Sequence, residues 1–103
     1  MTEADRPFIE IGERIARLRF FLGYKTQADF ARFLGVAANL LSMMETGLRR
    51  PTSDFALLLQ SRTGADMHWL YTGSTANMPL RFQPMLDTAA PERARRGRPS
   101  KSQ

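Results

Sequence analysis

The basic side chains of this 103-residue chain are unevenly distributed, and their clusters are the first groups that could do chemistry. The net charge is +5, of which +4 falls within residues 91–103. Because Lys and Arg side chains bind phosphate oxygens, this segment is expected to bind a polyanion. Residues 1–90 carry a balance of only +1, which argues against strong nucleic-acid affinity of that part alone. A smaller basic group, Arg49-Arg50, lies directly before Pro51.

A second feature, between Thr26 and Pro51, is the pattern of two short helices joined by a tight turn. Thr26 can accept a hydrogen bond from the amide of Asp29 three residues later, which is typical of a helix start. Gly35 is expected to end that helix, since glycine adopts a positive φ at no steric cost. The second helix is expected to stop at Gly47. A helix–turn–helix of this kind can place its second helix in a DNA major groove.

Apolar periodicity predicts three further helices that must position this pair. Ile11, Ile15, Leu18 and Leu22 fall on one face of a helix over about 9–22. A fourth helix is expected from about Thr52 to Thr63, and a short fifth one from Asp66 to Gly73. The predicted fold is therefore all-α, a compact five-helix domain with a flexible C-terminal tail.

The predicted organisation has four parts. Residues 1–7 are a disordered lead, 8–73 the helical domain, 74–87 a partly ordered apolar linker and 88–103 a disordered basic tail. At 43% hydrophobic residues, one small core is within reach.

Several function classes are excluded by composition. The chain has no cysteine and one histidine, so neither thiolate chemistry nor a histidine metal cluster is expected. No glycine-rich phosphate loop is present, and we expect no enzyme activity, no metal and no cofactor. No apolar run approaches the roughly 18 residues of a membrane span, and the acidic N-terminus is unlike a secretory signal. A cytoplasmic location is the expectation.

The chain from Thr26 to Gly73 resembles the lambda-repressor-like (Cro/cI-type, Xre-like) helix-turn-helix family, and with the first helix the resemblance covers roughly residues 9–73. The matching residues are Thr26-Gln27, Ala31, Gly35-Val36, Leu41-Ser42, Glu45, Gly47, Pro51 and Asp66-Met67-His68-Trp69-Leu70-Tyr71-Thr72-Gly73. The resemblance implies a bacterial or phage-encoded, nucleoid-associated regulator, most simply a repressor. It also implies that the chain binds double-stranded DNA as a homodimer.

The resemblance also assigns roles to residues of this chain. Those expected to face bases in the major groove are Ala37, Ala38, Asn39, Ser42 and Met43. Those expected to contact phosphate are Thr26, Gln27, Arg49 and Arg50. Asn39 alone can make a bidentate contact, preferably with adenine. The sequence departs from the family at Ala37, where a capping Ser or Thr is usual, and at the apolar Leu40. Either readout is dominated by thymine methyl groups, or this face binds protein.

The tail resembles an AT-hook, whose core is Arg-Gly-Arg-Pro between basic flanks. The residues concerned are Arg95, Arg96, Gly97, Arg98 and Lys101. Such a segment could enter a narrow A·T-rich minor groove, or it could bind phosphates without regard to sequence.

Other residues are assigned structural roles. Trp69 is expected in the core, His68 in solvent, and Glu45 near a helix end with a structural function. Arg14, Arg17 and Arg19 are expected to form a solvent-exposed face of the first helix. Leu40, Met43 and Leu58 are expected to form an apolar surface.

Two other functions stay open. A protein-interaction module, such as an antitoxin-like accessory regulator, would use that apolar surface. An architectural DNA-binding protein would depend on the tail.

Overall fold

Every regular element in residues 6–88, the part of the chain that the computed structural model describes, is helical. The α-helices are α1 (Ile9–Phe21), α2 (Gln27–Leu34), α3 (Ala38–Glu45), α4 (Ser53–Thr63), α5 (Met67–Thr72) and α6 (Gln83–Asp87). A 3₁₀ turn at Leu80–Phe82 precedes α6. The all-α prediction is confirmed for this part of the chain. The predicted lead and tail fall largely outside it, at residues 1–5 and 89–103.

The helix boundaries follow from local capping chemistry. The side chains of Thr26, Thr52 and Asp66 accept hydrogen bonds from the amides of Asp29, Phe55 and Trp69 at 3.0–3.1 Å, which fixes the starts of α2, α4 and α5. Gly35 ends α2 in the left-handed region, with φ of 82°. The predicted cap at Thr26 and the predicted terminator Gly35 are confirmed.

One apolar core joins the helices. Its largest fully buried side chains include Ile15, Leu18, Phe30, Leu34 and Leu41. Trp69 is 3% exposed, as predicted. These side chains come from α1, α2, α3 and α5, so the core holds the two helices of the predicted helix–turn–helix against the rest of the domain.

The closest backbone approach joins α1 to α3. A Cβ atom on Gly12 would lie 2.3 Å from the carbonyl oxygen of Glu45, so only glycine fits there. The amide of Phe8 also donates to the carbonyl of Gly47 at 3.0 Å. The start of α1 therefore lies directly against the end of α3 and the loop that follows.

The chain beyond Gly73 packs onto the domain more fully than a linker would. Phe82 and Met85 are buried, and the Phe82 ring lies 5.9 Å from that of Phe21 on α1. Pro84 stands in the first turn of α6, where its missing amide hydrogen costs nothing. The five-helix prediction was incomplete, because α6 completes the core beside α1.

Two arginines hold this C-terminal segment. Arg17 on α1 donates to the carbonyls of Leu86 and Thr88. Arg81 donates to the carbonyl of Thr63 at the end of α4, at 2.7 Å. Both arginines satisfy carbonyl groups that helix ends leave without a partner.

The predicted solvent-exposed arginine face of α1 is wrong. Arg19 is 2% exposed, and Arg14 and Arg17 are half-buried. Arg14 donates to the carbonyl of Leu70 on α5 at 3.0 Å. Each of the three guanidinium groups binds a group on another element.

Within residues 6–88, no helix combines the length and the hydropathy needed to cross a membrane.

Substitution of Phe82 tests whether α6 and its 3₁₀ turn belong to the folded unit. Phe82→Ala removes a fully buried ring and should lower the free energy of unfolding by about 3–5 kcal/mol. Leu80→Ala is the matched control, because Leu80 is 87% exposed and its loss should change stability by less than about 0.5 kcal/mol. Urea unfolding followed by circular dichroism measures both. Equal effects of the two substitutions would contradict the packing described above.

Candidate nucleic-acid interface

The corner between α2 and α3 is formed by Gly35 and Val36. Both amides donate to the carbonyl of Ala31, at 2.8 and 3.0 Å, which closes α2 and redirects the chain. Ala37 then adopts extended backbone angles, φ −69° and ψ 140°, and α3 begins at Ala38. Because Ala31 is buried and small, α2 and α3 can cross closely at this point.

The first turn of α3 projects into solvent. Ala37, Ala38 and Asn39 are exposed, and the Asn39 amide makes no hydrogen bond to another described residue. Ser42 and Met43, the other predicted base-facing residues, are half-buried one turn later. The outward surface of α3 is therefore two methyl groups beside one free carboxamide, with Ser42 and Met43 at its margin.

A buried ion pair sets the position of α3. The Arg19 Nε atom donates to Glu45 Oε2 at 2.8 Å, and the two side chains are 3% and 0% exposed. The Nη2 atom of Arg19 donates to the second carboxylate oxygen at 3.2 Å. This bidentate geometry orients Glu45, at the end of α3, against α1.

The same pair fixes the start of α2. Arg19 Nη1 donates to the carbonyls of Tyr24 and Lys25, at 3.0 and 2.9 Å, in the loop before α2. Gln27, the first residue of α2, donates from Nε2 to Glu45 Oε1 at 2.9 Å. One carboxylate therefore links three helices and the loop that precedes the helix–turn–helix. The prediction that Glu45 is structural is confirmed.

The burial of Arg19 and its pairing with Glu45 were not predicted, although the position of Arg19 in the sequence indicates burial. Arg19 follows Ile15 by four residues and therefore lies on the apolar face of α1. A charged residue on a core face needs a buried partner, and Glu45 is a charged residue on the core side of α3.

The predicted phosphate-contacting residues lie at two places. Thr26 and Gln27 are at the start of α2, where Thr26 caps the helix and one N–H of Gln27 is already bonded to Glu45. Arg49 and Arg50 are exposed in the loop after α3. The guanidinium of Arg50 lies 4.5 Å from the centre of the Tyr71 ring, and this stacking restrains its direction.

The predicted apolar surface lies elsewhere. Leu40, Met43 and Leu58 are half-buried, and Leu40 packs against the core. The exposed large apolar side chains of the described part are Phe20, Phe21, Phe33, Leu48, Leu57 and Leu80. On α4 the helical phase turns Leu57 outward and Leu58 partly inward, so the prediction was shifted by one residue. The outward face of α3 is consequently less apolar than its sequence indicated.

The predicted tail contacts Arg95, Arg96, Gly97, Arg98 and Lys101 lie outside the described residues. His68 is exposed, as predicted. Among residues 6–88, no three His, Asp or Glu side chains come together in a way that could hold a metal ion.

Removal of one charge from the buried pair should be far more costly than removal of one from an exposed pair. Glu45→Gln leaves the Arg19 guanidinium buried without a counter-charge, and should lower the free energy of unfolding by about 3–5 kcal/mol. The control is Arg32→Gln, which breaks the exposed Arg32–Asp29 pair and should cost less than about 1 kcal/mol. Chemical denaturation of both variants measures the difference, and costs within error of each other would refute the structural role of Glu45.

The missing cap of α3 predicts a stabilising substitution. Ala37 has the extended backbone of a capping residue but no side-chain acceptor. Ala37→Ser supplies one for the amides of the first turn and should raise the free energy of unfolding by about 1 kcal/mol. Ala38→Ser, one residue inside the helix, should instead lower the free energy of unfolding by about 0.5 kcal/mol. Thermal melts of the two variants should therefore move in opposite directions, and a shared direction would show that Ala37 is not the cap.

Comparison with known proteins found no relative of this chain. No protein-family model matches the chain, and neither a curated protein nor a solved structure matches it.

Proposed function

We propose that the protein binds double-stranded DNA with sequence preference, through α3 in the major groove, and regulates transcription, most simply as a repressor. The observation that carries this proposal is the first turn of α3. It presents the free carboxamide of Asn39 beside the methyl groups of Ala37 and Ala38, on a helix whose other side is held rigidly in the core.

The chemistry of that turn suits the groove. The nitrogen of a carboxamide can donate to N7 of adenine while its oxygen accepts from the N6 amino group, which makes one bidentate contact. The alanine methyl groups can contact the methyl group of thymine, and their small size lets the helix approach the base edges closely. The proposed readout is therefore one adenine contact supported by methyl contacts.

Groups on both sides of α3 suit the sugar–phosphate backbone. The start of α2 offers unpaired amides and the positive end of a helix dipole, next to Thr26 and Gln27. Beyond the far end of α3, the exposed Arg49 and Arg50 offer charge. Such contacts set the register of α3 on a duplex, whereas the base contacts give the sequence preference.

The resemblance to the lambda-repressor-like family supports the same function. The order of α1 to α5, the left-handed Gly35 and the buried Trp69 fit that resemblance. It implies a homodimer that reads two half-sites about one helical turn apart. The tail arginines would add sequence-independent or A·T-preferring contacts, which raise affinity in a salt-dependent manner.

An unbiased selection of DNA sequences by the intact protein tests the proposal. The wild-type chain should select a short inverted repeat, and Asn39→Ala should lose preference at one base pair of each half-site, a loss of about 1–3 kcal/mol of discrimination. Asn77→Ala is the control, since Asn77 is also an exposed asparagine but lies between α5 and α6. Its selected sequence should equal that of the wild type.

Three results would count against this function. No selected sequence together with capture of a tight protein partner would favour the interaction module. An A·T-rich preference without a repeat, lost when the tail is removed, would favour architectural binding. An unchanged preference in Asn39→Ala would remove α3 from the readout.

A further inference from the structure

A cavity of about 330 Å³ lies between the start of α1 and α5. Its polar lining comes from Arg6, Glu10, Arg14 and Tyr71. Glu10 and Arg14 are spaced four residues apart and so lie on one side of α1, while Arg6 lies in the segment just before the helix. This is the side away from α3, because Gly12 faces α3 and Arg14 follows it by 200° of helical rotation.

The arginines of the cavity have donor capacity that the described residues do not use. The Nε atom of Arg6 is buried and has no hydrogen-bond partner. A buried N–H without an acceptor is energetically unfavourable, and this cost is recovered when an acceptor binds. Arg14 uses Nη1 on the carbonyl of Leu70, and its Nη2 lies across Gly73, where a Cβ would be 2.8 Å away.

The charge balance at the cavity favours a singly charged anion. Arg6 and Arg14 supply two positive charges to its lining, and Glu10 supplies one negative charge. The lining therefore carries one net positive charge, which matches a phosphodiester better than a doubly charged phosphate ester.

The burial of the Arg14 guanidinium also favours a bound anion. The pKa of Arg14 lies below its ordinary value because desolvation disfavours the charged guanidinium, an effect that Glu10 and Glu13 oppose. An anion bound beside Arg14 would offset part of that desolvation cost.

Residues that line the cavity are hydrogen-bonded to the basic loop after α3. The hydroxyl of Tyr71 donates to the carbonyl of Pro51 at 2.8 Å, and the amide of Phe8 donates to Gly47 at 3.0 Å. The two ends of the Gly47–Pro51 loop are therefore bonded to elements that line the cavity. Arg49 and Arg50 stand on that loop.

We propose that this cavity binds a phosphodiester group of duplex DNA, next to the backbone contact of Arg49 and Arg50. Arg6 and Arg14 donate to its oxygens, and Tyr71 holds Arg50 at the rim. The inference rests on the proposed DNA-binding function and adds to it a contact made by α1, outside the helix–turn–helix.

The test is the salt dependence of binding to a mixed-sequence duplex, measured by fluorescence anisotropy with the full chain. Arg6→Gln removes one phosphate contact and should reduce the slope of log K against log salt by about 1. Its affinity should be about eightfold weaker at about 0.1 M salt, and the difference should vanish on extrapolation to about 1 M. Arg6→Lys keeps the charge and should retain the wild-type slope.

Arg62→Gln is the matched control, because it removes an exposed arginine in the last turn of α4. Its slope should stay within error of the wild type. A wild-type slope in Arg6→Gln, or the same loss in Arg6→Gln and Arg62→Gln, would overturn the inference while the DNA-binding function stands. A slope lost equally in Arg6→Lys and Arg6→Gln would overturn it as well. A wild-type chain that binds no duplex would overturn both proposals.

Discussion

The structure depends on one carboxylate buried at the junction of three helices. Glu45 is fully desolvated, and a charge in that position is tolerated only when nearly all of its hydrogen-bonding capacity is used. Arg19 and Gln27 provide those bonds, and Arg19 also binds the loop between α1 and α2. Since a hydrogen bond tolerates little displacement, the network restricts rotation and sliding of α3 more strictly than apolar packing alone.

That restriction matters because α3 has little stability of its own. It has eight residues, no capping side chain and no acidic residue in its first turn. An isolated helix of this length is not stable in water. Leu41, Met44 and Glu45 hold it from within, so the small side chains of the outward turn do not have to stabilise the helix. The missing cap at Ala37 lowers the stability of α3, and the buried hydrogen bonds of Glu45 with Arg19 and Gln27 compensate for that loss.

The sequence predicted the helices well because their ends are marked locally. Thr26, Thr52 and Asp66 cap helices, and Gly35 closes one, through contacts within a few residues. It predicted less well what depends on distant contacts. The partner of Arg19 lies 26 residues away, and the carbonyls bound by Arg17 lie about 70 residues away. Neither separation leaves a periodic signal.

Part of the candidate interface could likewise be predicted from the local sequence, and part of it could not. The exposure of Asn39 follows from the phase of α3, which Leu41 and Met44 define in the sequence, whereas Ala37 is exposed because it precedes the first turn of the helix. The burial of Leu40 and the shift from Leu58 to Leu57 depend on how neighbouring helices cross, which the phase of one helix does not specify. The Arg6 cavity was not predicted because its lining comes from α1, the three residues before it and Tyr71 of α5, which is distant in the sequence.

The contact between Arg17 and the carbonyl of Thr88 has a consequence for the last fifteen residues. Gly12 faces α3, and Arg17 lies about 140° around α1 from it, so the anchor point is on the side of α1 that is turned away from α3. Arg95 follows Thr88 by seven positions, and covalent geometry limits the distance between them to about 25 Å. This limit is close to the 24 Å thickness of the domain. The six residues between Thr88 and Arg95 therefore set how far Arg95 can lie from the anchor, as a fixed property of the covalent chain.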